Sequence, residues 1–489
     1  MRKILAVLGL ATVALLASCG SGSSTNTPGG PSGGNNAGYS NSSLNGTYVF
    51  NASGAYNSGY SFATAGTFTA DGNGKITAGA RDIYTDGGQK VQNESVTGSY
   101  SVSQDGRGQI QLKGSSGTIT YRFVLHSSGE GVFFQYSGSA DAVGRFVLRP
   151  SATPALVSAT SNYVLRLDGE DSSGAPYGAV GLLTATSGGL NGAVDQNDSG
   201  AFSAQLTTSG SIAAADGNGR GTITLTVGST ARSFIYYQAS ANEIELLSTD
   251  SSFQYGSLNL QTGVSGSTAA FTGGQVFALS GYTAVGNYTY PIAETGRFTL
   301  DGAGNVTSAV EDYNVGGSYT GNVVLGGTNA ADATGRWTAS LTGAQAASLV
   351  GYQISPSKSM VLAYNATSTI LETGLLQAQS TAVTTASFTG NYAVDLSGYS
   401  YYAMGNVEST ANYLADGAGN LSGTMDSQTP GYYNTDIAQT GQYAISSSGR
   451  STGTFGAVPA AVYAVDANTA YLISSDGSRL YQGTMVKQQ

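Results

Sequence analysis

The chain has 489 residues, 71 of them Gly, with 10% charged side chains, 29 acidic against 19 basic residues, and one each of Cys, His and Trp. An acidic, Lys/Arg-poor chain opposes phosphate backbones and anionic head groups, which excludes nucleic acid as a partner. A lone cysteine has no internal partner, so stability must come from core burial and hydrogen-bonded sheet.

Arg2 and Lys3 precede an apolar run from Ile4 to Leu16. That run falls short of the roughly twenty apolar residues a permanent membrane helix needs. A basic start followed by a short apolar run is the layout of a secretory signal peptide. It ends in Leu16-Ala17-Ser18-Cys19, which resembles the lipobox of bacterial lipoproteins. The resemblance implies that residues 1–18 are removed and that Cys19 carries several acyl chains, of the palmitate class. One chain anchors only marginally, at about 0.8 kcal/mol per buried methylene, so several are needed. Gly20 stands where the family places Asp for inner-membrane retention, which implies the outer membrane, with a periplasmic or surface-facing chain. Residues 19–43 are Gly/Ser/Asn-rich and read as a flexible tether, holding the first folded unit about 25–30 Å from the anchor on average.

The remainder repeats. Gly66-Thr67-Phe68-Thr69-Ala70-Asp71-Gly72-Asn73-Gly74 returns as Gly296-Arg297-Phe298-Thr299-Leu300-Asp301-Gly302-Ala303-Gly304, again as Asn412-Tyr413-Leu414-Ala415-Asp416-Gly417-Ala418-Gly419, and more weakly from Gly181 to Gly189. The step between copies is about 115 residues, the mark of tandem units. Leading strands (Tyr48, Tyr163, Phe277 and Tyr392) and closing strands after Gly144, Gly256, Gly374 and Gly483 recur in the same order. Boundaries therefore fall at 44–150, 151–263, 264–380 and 381–489. Within each unit the apolar positions alternate: Tyr48/Phe50, Tyr163/Leu165/Leu167, Phe277/Leu279 and Tyr392/Val394/Leu396 share one face. Period two with turn signals every 8–14 residues gives about eight antiparallel strands and no substantial helix. For the first unit they are expected near 46–52, 60–70, 74–84, 95–103, 108–113, 118–125, 131–137 and 144–149. The fold class is all-β: four tandem eight-stranded up-and-down barrels, with β-sandwiches or one propeller as alternatives. The Gly-x-Tyr openings and the meander are similar to avidin- or lipocalin-like barrels, although no binding motif of either is matched.

Few residues carry a chemical signal. The Asp-Gly loops at Asp71, Asp105, Asp216, Asp301 and Asp416 offer one carboxylate each, where calcium needs six to eight oxygens. Turn chemistry explains them better, since Asp accepts backbone N–H bonds and Gly supplies positive φ. No other cofactor is expected. A second recurring acid, at Asp82, Asp195, Asp312 and Asp426, closes a strand; it either lines a mouth site, caps a turn or pairs with Arg. His126, the lone histidine, lacks a nucleophile-elbow serine and is expected at a strand end on the surface. Adjacent tyrosines such as Tyr236-Tyr237, Tyr401-Tyr402 and Tyr432-Tyr433 must place one ring of each pair outward on a strand, where Tyr236, Tyr401 and Tyr432 are candidate contacts. The expected function is a non-enzymatic, membrane-anchored scaffold, adhesin or binding protein for envelope proteins or glycans. The alternatives are a small-ligand or glycan binder using barrel interiors or mouths and, third, an enzyme such as a glycoside hydrolase.

Overall fold

The computed structural model describes residues 38–489 except 57–58, 89, 139, 152–159, 265, 286–287, 346–347, 366–367, 381–382, 402–404 and 430–431. Cys19, the signal segment and nearly all of the tether lie outside the described residues.

The period-two alternation becomes antiparallel meanders that close on themselves four times. In barrel 2 the first strand (Ser161–Glu170) pairs with the second (Pro176–Thr186) and with the last (Phe253–Leu260). Barrels 3 and 4 close likewise, between Gly273–Val285 and Ser368–Ala378, and between Thr389–Ser400 and Arg479–Lys487. In barrel 1 the fourth strand is broken at Val96 into Lys90–Ser95 and Thr97–Val102, both paired with the third strand, Lys75–Thr85. The circuit is still complete, because Asn45–Tyr56 pairs with both Ser61–Asp71 and Ala140–Leu148. The only helical pieces among the described residues are two three-residue 3₁₀ turns, Asn41–Ser43 and Thr385–Ser387. The fold is thus four closed eight-stranded barrels in tandem, and neither sandwiches nor a propeller.

Inward-facing residues fill each barrel. In barrel 1, Tyr48 and Phe68 stack at 5.2 Å between ring centroids and Phe123 meets Phe146 edge-on at 5.5 Å. In barrel 2, Tyr163, Leu183, Phe234, Tyr236 and Leu246 form the core, and in barrel 3 Trp337 joins Phe271, Phe277 and Phe298. An eight-strand barrel is just wide enough to be filled this way, at roughly 1.5–3 kcal/mol per large side chain buried. The recurring glycine of each closing strand has a steric reason. A Cβ on Gly144, Gly256, Gly374 or Gly483 would fall 1.9–2.0 Å from the carbonyl oxygen of Asn51, Arg166, Ala278 or Asp395 on the leading strand.

One irregularity recurs in every barrel. The register between third and fourth strands shifts around Asp82, Asp195, Asp312 and Asp426. Each is a β-bulge, which re-aims a side chain. Opposite it stands a residue with positive φ: Asn93 (48°), Gln205 (48°), Asn322 (58°) or Asp436 (56°). Its N–H donates to the bulge carboxylate, at 3.0, 3.1, 2.8 and 2.8 Å respectively.

Candidate functional site

The bulge turns each aspartate outward onto the next barrel. A tight glycine turn there (Gly219 at φ 78°, Gly335 at 80°, Gly449 at 84°) delivers an arginine as the first residue of a strand. Arg220 reaches Asp82 with Nε at 2.8 Å and Nη2 at 3.0 Å. Arg336 reaches Asp195 at 2.9 and 2.8 Å, and Arg450 reaches Asp312 at 2.7 and 2.6 Å. A two-pronged guanidinium fixes both distance and orientation. A tyrosine paired across the strand adds its hydroxyl: Tyr237 to Asp82 and Tyr352 to Asp195, both at 2.6 Å, and Tyr463 to Asp312. Burial alone would raise the Asp312 carboxyl, but Arg450, Tyr319 and Tyr463 outweigh it and hold the group below its usual range.

The fourth contact closes the series. Arg107 of barrel 1 donates to Asp426 of barrel 4 at 2.9 Å and to Asp436 at 2.8 Å, so the barrels form a ring. The residue after each closing strand reinforces it. Gln261 donates to the carbonyls of Thr334 and Gln353, Gln379 to Ala464, and Gln488 to Asp105 and Leu125, at 2.7–3.1 Å. Gln489 N–H reaches the His126 carbonyl at 2.9 Å, and Tyr39 donates to the Gln489 carbonyl at 2.9 Å.

The outward faces of the four leading strands meet along the ring axis. Two adjacent cavities lie there, of about 250 and 390 Å³, sharing Val143, Arg166 and Ser397 as walls. The first is lined by Ser53, Asp168, Glu170, Tyr255, Tyr282 and Thr373, the second by Asn51, Arg145, Asp395, Ser409 and Thr410. Arg145 is the hub of the charge network: its Nη2 meets Glu245 at 2.6 Å and Glu243 more closely, with Glu130 at 4.0 Å. Asn51 donates to Glu245 at 2.6 Å, and Arg166 pairs with Asp168 at 2.9 Å. Thr373 and Thr484 hydroxyls donate to Asp168 and Asp395. Burial raises the carboxyls of Glu245 and Asp395, with Arg145 opposing at Glu245 and the Thr484 hydroxyl opposing at Asp395. Burial lifts the Tyr255 hydroxyl to about 12.

The residues singled out from sequence go to different places. Asp82, Asp195, Asp312 and Asp426 cap bulges and pair with arginines, and they do not gather at a mouth. The loop aspartates hold their own turns: Asp71 accepts the N–H of Asn73 and Lys75, Asp216 those of Asn218 and Arg220, Asp301 those of Ala303 and Asn305, Asp416 those of Ala418 and Asn420, and Asp105 that of Arg107. The N–H groups of Lys75 and Asn73 hold the Asp71 carboxyl below its usual value. Tyr236 corrects the expectation of an outward ring; it is buried in the barrel 2 core with its hydroxyl on the Ala213 carbonyl at 2.6 Å, and the outward Tyr237 is buried between barrels. Tyr401 packs edge-on against Tyr399 between barrels 3 and 4. Of the three candidate contacts, Tyr432 stands in solvent, 72% exposed, with Tyr433 beside it 40% exposed and packed 4.9 Å from Tyr136 of barrel 1. His126 is a strand-end residue but half-buried, and burial pulls its imidazole below the ordinary value against the pull of Glu130 and Asp395. Sequence reasoning missed the four arginines, although each comes after its turn at the repeat step, and it missed the axis altogether.

Among the described residues no group of three or more His, Cys, Asp or Glu side chains is arranged to hold a metal, and no helix is long and apolar enough to cross a membrane. No protein-family model matches the chain, and no curated protein matches it. Among solved structures it is similar to the isotype 1 transferrin binding protein B from serogroup B Neisseria meningitidis, at 9% identity and TM-score 0.19, over 74% of this chain and 82% of that one. It is also similar to the intact Ap-TbpB with N and C lobes (10% identity, TM-score 0.17, 74% and 84% covered). A mutant transferrin binding protein B from Haemophilus parasuis Hp5 gives 11% identity and TM-score 0.16, over 73% and 82%. TM-scores this low leave the arrangement and role of the chain to be argued from its own residues.

Proposed function

We propose that this chain is a non-enzymatic, lipid-anchored envelope protein that presents a rigid ring of four barrels as a binding scaffold. The observation that supports it most is the fourth strand of each barrel. In barrels 2, 3 and 4 the strands Ala201–Ile212, Ser318–Ala331 and Tyr432–Ile445 are long, half exposed and rich in Ser, Thr, Asn and Gln, with Val324 77% and Tyr432 72% exposed. They stand at equivalent places, so a partner surface offering several epitopes meets several similar faces on one rigid body. Rigid multivalency raises avidity without any strong single contact. Filled barrel interiors leave the axial cavities as the place for a small ligand, which is the second reading; their charged and hydroxyl-rich walls suit a polar ligand such as a glycan unit.

One experiment separates the two. The full-length chain is screened against envelope proteins and glycans, and each hit is re-measured with Tyr432→Ala and with Arg166→Ala. Scaffold binding is weakened by Tyr432→Ala and rises steeply with ligand density on the surface. Loss only in Arg166→Ala, with no density dependence, transfers the function to the axis and refutes the scaffold reading.

A further inference from the structure

The fourth interface of the ring is not built like the other three. Barrels 1 and 2 meet through Val49, Ala63, Ala65, Ile235, Tyr237 and Leu247. Val164, Val180, Tyr352 and Leu362 join barrels 2 and 3, and Val276, Ala293, Ala461 and Tyr463 join barrels 3 and 4. Register places Ala63, Gly178, Ala293 and Glu408 at one repeated position, opposite Ser53, Asp168, Ser280 and Ser397. Three copies are small, as close packing of two sheets requires. The fourth is a glutamate, 2% exposed, facing barrel 1.

Around it the seam carries a surplus of acceptors. The acceptors Glu408 Oε2, Asn406 Oδ1 and Gln428 Oε1 are buried without a hydrogen-bond partner, although the Ala142 N–H reaches the Glu408 carboxyl, and the Thr410 hydroxyl is buried without a partner beside them. Asn406, 6% exposed, is aimed into the seam by its Nδ2, which donates to Asp141 of barrel 1 at 3.0 Å. Because a carboxylate accepts that bond, the amide oxygen is the atom left over. Gln428 lies directly opposite Glu408 in the register. Among the described residues no arginine or lysine is ion-paired with Glu408 or Asp141. Buried acceptors without donors are costly and call for a bound ion or water.

We propose that the seam between barrels 4 and 1 is a binding site for a hard divalent cation of the calcium class, held by the carboxylates of Glu408 and Asp141 and the amide oxygens of Asn406 and Gln428. The donor set is oxygen only, which disfavours zinc and copper, and its two carboxylates and two amide oxygens would be completed by water to the six to eight oxygens that calcium takes in flexible geometry. Thr410, which also lines the second axial cavity, places the site at the end of an entry path from the axis. Bound there, the cation ties together the two barrels that no linker joins. The site is distinct from the Asp-Gly turns, which are exposed and close on their own backbone N–H groups; in the seam Asp141 Oδ1 also accepts the Ala55 N–H, at 3.2 Å.

The test uses terbium(III) as a calcium surrogate on the full-length chain, with luminescence excited through the seam tyrosines Tyr136 and Tyr433. Wild type gives a signal that excess calcium displaces, and calcium raises its unfolding midpoint over EDTA. Glu408→Ala, which restores the small residue of the other interfaces, and Gln428→Ala each weaken terbium binding at least tenfold; Asp416→Asn, in an exposed turn, leaves it unchanged. No displaceable signal, a signal that Glu408→Ala leaves intact, or one that Asp416→Asn abolishes would each overturn the proposal. So would a midpoint indifferent to calcium, the behaviour of a seam held by a shared proton or water.

Discussion

Glu311→Gln should stabilise barrel 3 at neutral pH and do almost nothing at pH 4. Glu311 and Glu372 are fully buried and Glu294 is 1% exposed, and strand alternation turns all three toward the inside of the barrel. In barrel 1 the register-equivalent of Glu311 is Arg81, whose Nε is ion-paired with Glu94 at 2.6 Å. Barrel 3 has a carboxyl there instead. Burial, with the charge of Glu294 adding to it, pushes the Glu311 carboxyl to about 9, and burial pushes Glu372 to about 8. A folded value above the unfolded value of 4.5 means that folding favours the protonated form. Its contribution is fully present below pH 4.5 and is lost progressively as pH rises toward 9. At about 1.36 kcal/mol per pH unit, the loss at pH 7 is roughly 3 kcal/mol. Glutamine keeps an acceptor for the Gln345 N–H, which Glu311 accepts at 2.9 Å, and removes the ionisable group. The sole tryptophan, Trp337, is buried in the same barrel and reports its unfolding by fluorescence. Urea titrations of wild type and variant should coincide at pH 4 and separate by roughly 3 kcal/mol at pH 7. Curves that stay parallel from pH 4 to pH 9 would refute the protonated cluster.

The ring itself gives three further outcomes. Arg336→Ala leaves the Asp195 carboxylate buried with only Tyr352 and a backbone N–H, and should cost about 3–5 kcal/mol in denaturant unfolding; a loss under about 1 kcal/mol would show that the tie is ornamental. Gly374→Ala drives a Cβ to 2.0 Å from the Ala278 carbonyl oxygen and should destabilise barrel 3 by about 1–3 kcal/mol, read as an earlier Trp337 transition; an unchanged midpoint would mean the strands can part. Removing Gln488 and Gln489 deletes the ties to barrel 1 that run from Gln488 to Asp105 and Leu125 and from Gln489 to His126. Hydrogen exchange should then quicken in the strand Gly117–Ser127 and spare barrel 2, at a cost of about 1–3 kcal/mol; uniform exchange across the ring would count against a localised closure.

The barrels were legible in the sequence because their signals are local. Alternation such as Tyr48/Phe50 and the Asp-Gly turns depends on neighbours a few residues away, and the closing glycines recur once per copy. The strand ends expected for the first unit lie within a few residues of the observed ones, except that the fourth strand splits at Val96. The ties were not legible because they are long-range. Asp82, Asp195 and Asp312 meet arginines 138, 141 and 138 residues on. That near-constant offset exceeds the repeat step, which is the one sequence sign that an acid of one copy serves the next. Tyrosine direction failed for a related reason. Alternation says that Tyr237 points out of its barrel, but only the ring says that outward there means buried.

The departures from repetition then become the informative positions. A ring of four equal apolar interfaces would need nothing on its axis and nothing special at its seam. Here the axial positions Asn51, Arg166, Ala278 and Asp395 share a register but no chemistry, and the Tyr237, Tyr352 and Tyr463 position is Val124 in barrel 1. Asp426 consequently keeps one oxygen without a donor, and burial raises its carboxyl, whereas Asp312 is lowered. The three interfaces bridged by a linker form at high effective concentration, since each linker holds its two barrels together. The fourth joins barrels 4 and 1, which are not consecutive in sequence, and has no such help. Apolar packing at that seam would close the ring unconditionally. Polar, acceptor-rich packing makes closure depend on what the seam binds, and it places that dependence beside the axial cavity.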